Sequence, residues 1–178
     1  MNSSMLSDPS SDDSEAGLKQ EYLFAEPRNL TDVMVTDSLF GSTKIRKHIV
    51  LCGLHSSVYH FILPLRAKYL KKLQPIVIVT DQPMAEIWSS INRFQDIFLV
   101  EGSPFEQINL WRANIGMADK AVILGKDHSL LLGEKNEEML DADTIFIYKA
   151  IKNCNPRLQV MAELVLASNI EFLAGRTF

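Results

Sequence analysis

Gly53, His55, Asp81 and Glu86 are the residues of this sequence whose types and spacing point to ligand chemistry. Gly53 ends the run Ile49-Val-Leu-Cys52 and stands where the first glycine of a dinucleotide-binding strand-to-helix turn belongs, but His55 and Val58 occupy the places of the second and third glycines. A complete G-x-G-x-x-G brings backbone amides onto a pyrophosphate at a helix N-terminus. The scaffold is therefore expected without the anion cradle. Asp81 follows a second β-branched run about 28 residues later, near where an acidic residue meets a ribose hydroxyl. It also suits a cap for a helix beginning at Pro83, and the missing glycines favour the cap. Glu86 brings a second carboxylate toward the same crevice, so Asp81 and Glu86 are candidate metal ligands for a hard cation, against the plainer reading of a solvated helix carboxylate. His55 is either a ligand or pH sensor beside the crevice or a polar loop residue.

The other clusters carry less chemistry. Glu134, Glu137, Glu138, Asp141 and Asp143 lack the alternating acids and turn glycine of an EF-hand and read as a solvated loop and helix start. His55, His60 and His128 are not at metal-binding spacing. Neither a G-x-S-x-G elbow nor a Walker loop occurs, so the sequence does not demand an enzyme. Trp88 and Trp111 read as helix-to-sheet or inter-domain packing. Cys52 and Cys154 have no C-x-x-C spacing and read as reduced thiols.

The elements that must hold these residues follow an α/β rhythm. Short β-branched runs near 48–53, 75–80, 96–100, 120–125 and 157–164 alternate with helical patterns, the mark of a parallel sheet covered on both faces. The fold class expected is a Rossmann-like doubly wound parallel sheet. The first helix is predicted over about 57–73, with Val58, Phe61, Ile62, Leu65, Tyr69 and Leu73 inward, Arg66 elsewhere, and a kink at Pro64. The second spans about 83–94 and the third about 104–114, capped by Ser103 with Pro104 at its first position. A polar loop from Lys126 to Met139 precedes a helix over 141–153, and a short one covers 168–174.

Residues 1–17 are rich in Ser and Asp, too poor in apolar surface to order themselves. Residues 22–43 form a mixed connector with enough apolar surface to dock. The expected division is thus 1–43 as lead-in and connector and 44–178 as the lobe. With 178 residues there is room for one core, and 18 basic against 22 acidic residues give a charge of -4, which argues against nucleic acid and anionic lipid. No apolar run is long enough to span a bilayer and no signal pattern opens the chain, so membrane contact by this segment is not expected.

His60-Phe-Ile-Leu-Pro-Leu-Arg-Ala-Lys-Tyr69, followed by Leu73-Gln-Pro-Ile-Val-Ile-Val-Thr-Asp81, resembles the second RCK domain of Slo-type potassium channels, nearest the sodium-activated Slack and Slick branch. Gly102-Ser103, Met139-Leu-Asp-Ala-Asp-Thr-Ile145, Ala162-Glu-Leu-Val165 and Ser168-Asn-Ile-Glu-Phe-Leu173 resemble the same domain in the same order, over about residues 45–173. The resemblance implies a non-catalytic cytoplasmic part of a plasma-membrane channel. Its partners would be other RCK domains and pore subunits in a tetramer, and its ligand an intracellular cation, sodium or calcium. Asp81 matches the aspartate of a proposed sodium site, but Glu86 and Ile87 stand where that branch has a histidine. The calcium-binding bowl of BK relatives is not seen, since Ala174-Gly-Arg-Thr-Phe178 follows Leu173. The sequence reads as a fragment or truncated product. The alternative is an NAD- or nucleotide-binding Rossmann protein.

Overall fold

The computed structural model describes Gly17 and residues 21–35, 45–53, 57–82, 85–125 and 141–174. Its centre is a parallel sheet of five strands, β1 (Ile49–Cys52), β2 (Ile76–Thr80), β3 (Ile97–Glu101), β4 (Lys120–Ile123) and β5 (Gln159–Ala162), in the order β3-β2-β1-β4-β5. β1 lies between β2 and β4, with Cys52 opposite both Val79 and Ile123. All residues of β1 and β2 are buried, which explains their unbroken apolar sequence: both faces are covered, so no polar alternation is needed.

The helices are α1 (Leu30–Val33), α2 (Val58–Ile62), α3 (Ala85–Ile91), α4 (Gln107–Arg112), α5 (Ala142–Cys154) and α6 (Ile170–Leu173). Alternate strand residues feed two cores. Ile49, Leu51, Ile76 and Ile78 pack with Ile62, Trp88 and Phe94 on the α2–α3 side, whereas Val50, Cys52, Val77 and Val79 pack with Leu110, Ile147 and Ile151 on the α4–α5 side. Burial pushes the Cys52 thiol up to about 12, leaving it protonated and unreactive at neutral pH.

The first long helix does not form as the spacing predicts. α2 stops at Ile62 and a 3-10 turn, Leu63–Arg66, follows. Pro64 lacks an amide hydrogen and crowds the preceding turn, so it ends the α-helix instead of kinking it. Tyr69, expected inside, is 81% exposed, while Arg66, expected outside, is fully buried. α3 and β5 are shorter than the patterns suggest. α4 begins after Glu106 rather than Ser103, because Ser103–Glu106 forms its own turn with the Glu106 N–H donating to the Ser103 carbonyl at 3.2 Å. The loop 126–139 lies outside the described residues.

Residues 22–35 strap one side of the lobe. Tyr22 and Phe24 form antiparallel bridges with Ala67 and Phe94, and Met34 forms a parallel bridge with Leu99 on the edge of β3. Val33 enters the core and the Trp88 indole donates to the Arg28 carbonyl at 2.9 Å.

At the amino end of the sheet His48 is buried, with Nε2 2.8 Å from the Ala113 carbonyl and Nδ1 without a partner among the described residues. Since a carbonyl only accepts, Nε2 carries the proton. Burial pushes the imidazole below its ordinary 6.5, and the bond to Ala113 opposes this in part. The native state therefore prefers neutral His48, and the unfolded chain takes up a proton first as pH falls below about 6.5. This contribution to stability is complete above that pH and is lost on acidification. The thermal midpoint should fall between pH 7.5 and 5.5, and His48→Gln should flatten that fall. An equal pH slope in the variant would show that His48 is not the cause.

Candidate functional site

In an open parallel sheet, ligands enter where strand order reverses, outside the carboxyl ends of the strands. Here that point lies between β1 and β4. Gly53 leaves β1 with a φ of +89°, a conformation strained for any side chain, so this glycine of the turn has a backbone reason. Beside it the Leu124 N–H donates to the Cys52 carbonyl at 3.0 Å. The next amide, Gly125 N–H, donates to Glu163 Oε2 at 3.0 Å. A side-chain carboxylate thus sits on an amide at the end of β4, bringing negative charge to the crevice where a phosphate would need positive potential.

Asp81 lies exposed just past β2, two residues beyond Val79, which pairs with Cys52, the residue before Gly53. Ahead of it the Thr80 hydroxyl accepts the Gln82 N–H at 3.1 Å, so the turn into the next helix is held partly by threonine. Glu86 belongs to α3, but its side chain and all of His55 fall outside what is described, as does His128. The sheet brings Gly53 and Asp81 to one edge. His60 is exposed on α2, and among the described residues no group of three or more His, Cys, Asp or Glu gathers as a metal shell. A hard cation takes about six to eight oxygens; Asp81 and Glu163 are carboxylates at this end of the sheet and do not by themselves make such a shell.

The end of β3 is built differently. Gly102 has a φ of +145°, and a Cβ there would fall 2.4–2.6 Å from the Asn109 side chain. Asn109 is buried, donating to the Ser103 carbonyl at 3.0 Å and to Glu106 Oε2 at 3.1 Å. Arg112 donates to the Glu101 carbonyl at 2.9 Å and to the Val35 carbonyl at 2.8 Å. These polar groups shape the turn and hold the strap; they are already engaged.

Sequence reasoning missed two carboxylates. Asp141, expected in a solvated acidic cluster, is 1% exposed and accepts three N–H donors from residues 165–169. Glu163 was passed over as part of a strand. Their partners lie 24 to 38 positions away, so no local spacing could have revealed them.

The sequence model of the family described as the calcium-activated potassium channel slowpoke-like RCK domain matches residues 44–162. The chain belongs to this family. It is a family of potassium-channel domains. Potassium channel subfamily T member 1 from Homo sapiens is 32% identical over 124 residues, which are 68% of this chain and 10% of that protein. This RCK chain therefore spans about a tenth of the length of the curated relatives it matches. Among solved structures, the human SLO3 gating ring superposes with a TM-score of 0.70 at 23% identity, covering 86% of this chain and 28% of that one. GsuK bound to ADP superposes at 0.55 and 17% identity, covering 77% and 30%. These two likenesses are of fold. Among the described residues no helix is long and apolar enough to cross a membrane.

Proposed function

We propose that this chain is a regulatory RCK lobe of a Slo-type potassium channel, on the cytoplasmic side of the plasma membrane, coupling an intracellular cation to pore gating without catalysis. The observation that carries this reading is family membership across residues 44–162, joined to 32% identity with a potassium channel. The partners are other RCK domains and the pore subunits of a tetramer. Outward apolar side chains on α4 and α5 offer surface for such assembly, with Trp111 42% and Phe146 59% exposed.

Gating requires a ligand that prefers one state of the ring, because only differential affinity shifts a conformational equilibrium. Sodium or calcium is the proposed ligand, with Asp81 and Glu86 as its ligands at the carboxyl end of β2. Asp81→Asn in a full-length channel carrying this lobe should raise the half-activating cation concentration about 10-fold, equivalent to about 1.4 kcal/mol. Excised-patch recording reads this directly, and an unchanged dose response removes Asp81 from the site.

A second reading, nucleotide binding, is favoured by the fold shared with GsuK, which is solved bound to ADP. The Glu163 carboxylate on the Gly125 amide and the lost glycines at positions 55 and 58 weigh against it. Micromolar binding of NADH or ATP to the purified chain, abolished by Asp81→Ala, would replace the cation reading with this one.

A further inference from the structure

We propose that Asp141 is the positioning residue that latches the β5–α6 segment onto the start of α5, so that one buried carboxylate sets where α6 sits on the lobe. Asp141 precedes the first turn of α5, and its own carbonyl accepts the Ile145 N–H at 2.9 Å. Its two carboxylate oxygens face the other way. Oδ1 accepts the Val165 N–H at 2.7 Å, while Oδ2 accepts the Leu166 N–H at 2.9 Å and Asn169 Nδ2 at 2.8 Å. All three donors belong to one short stretch between β5 and α6, and the carboxylate that receives them is 1% exposed.

Among the described residues the apolar support for this clasp is slight, since Leu164, Val165, Leu166 and Leu173 are only half-buried. Neither the 3-10 turn Ala167–Asn169 nor α6 buries a residue, and Ile170 and Phe172 are 61% and 58% exposed. A four-residue helix does not hold its own shape in water. Charge-assisted bonds to a buried carboxylate are strong, and losing one leaves buried polar groups unmet. The location of α6 therefore rests on Asp141 far more than on the core. The latch spans helix α5 and the segment following the edge strand, so the two move as a unit while it is closed. This inference concerns the lobe itself and stands whether or not the lobe gates a pore.

Hydrogen–deuterium exchange on the full chain tests it. Asp141→Asn keeps the side-chain shape but turns an amide donor toward other donors. Amides from Val165 to Leu173 are expected to exchange at least ~10-fold faster, the equivalent of one lost charge-assisted bond, while those of β1 and β2 keep their protection. Asn169→Ala removes only the side-chain donor and should give a smaller rise confined to the same stretch; it also decides the matter by the same reading should Asp141→Asn fail to fold. Unchanged exchange at residues 165–173 overturns the latch. So does an equal rise in β1 and β2, which would make Asp141 a general stability residue instead.

Discussion

Arg66→Met is expected to lower the stability of the lobe by about 3–5 kcal/mol, the combined worth of two hydrogen bonds from a charged donor together with the buried acceptors they leave unmet. The guanidinium is fully buried beneath the 3-10 turn. Its Nε donates to the Gln95 carbonyl and its Nη1 to the Leu65 carbonyl, both at 2.9 Å, with Nη2 at 3.5 Å from the Asp96 carbonyl. The Gln95 and Asp96 carbonyls sit where the chain turns into β3, and Asp96 holds a left-handed φ of +55° there, whereas the Leu65 carbonyl belongs to the 3-10 turn itself. Arg66 thus fastens the turn that aims the third strand. Burial pushes the Arg66 guanidinium below its ordinary pKa, Asp96 opposes this and Arg28 adds to it, so the site holds two like charges against one carboxylate. Methionine fills similar volume but donates nothing. Lysine keeps the charge but lacks the planar fork, so Arg66→Lys should recover only part of the loss. Urea unfolding measures both, and a midpoint shift worth less than about 1 kcal/mol for Arg66→Met would mean that water meets the carbonyls.

Arg66 also shows where the sequence could and could not be read. The run Pro64-Leu-Arg-Ala67 is a fairly specific part of the Slo resemblance, yet its arginine looks like one of several surface cations at a helix end. Only the fold brings the 95–96 turn to it from about 30 residues away. The apolar spacing of Leu65, Tyr69 and Leu73 looked helical because periodicity records side-chain type and ignores the missing Pro64 amide. β1 and β2 were legible for the opposite reason, being short, β-branched and buried on both faces. Gly53 and Asp81 could be placed at the ends of neighbouring strands from the sequence, because strand topology fixes which residues end them. Asp141 and Glu163 were not, because an acidic residue beside a helix start or a strand end is ordinarily solvated, and only their distant N–H partners mark them as different.

Removing residues 1–35 is expected to cost the lobe at least about 4 kcal/mol, although the family match begins only at residue 44. Val33 is 2% exposed in the core, and burying a valine is worth about 1.5–3 kcal/mol. Without the strap the Trp88 indole loses the Arg28 carbonyl. Phe94 loses Phe24, stacked at a centroid distance of 5.4 Å. The carbonyls of Phe94 and Leu99 lose Arg28 Nη2 at 2.6 Å and Val35 N–H at 2.7 Å. The exposed flank of β3 becomes a free edge, a template for pairing with other chains. Against a total stability of about 5–15 kcal/mol, such a loss leaves a marginal fold. A chain of residues 36–178 should therefore aggregate or melt far below the full chain, while one of residues 21–178 should match it. A synthetic peptide of residues 21–35 added in trans should restore part of the midpoint, since its contacts are with surfaces the shortened chain retains. If instead residues 36–178 give a soluble monomer with an unchanged midpoint, the strap is an accessory, and the folding unit starts where the family match does.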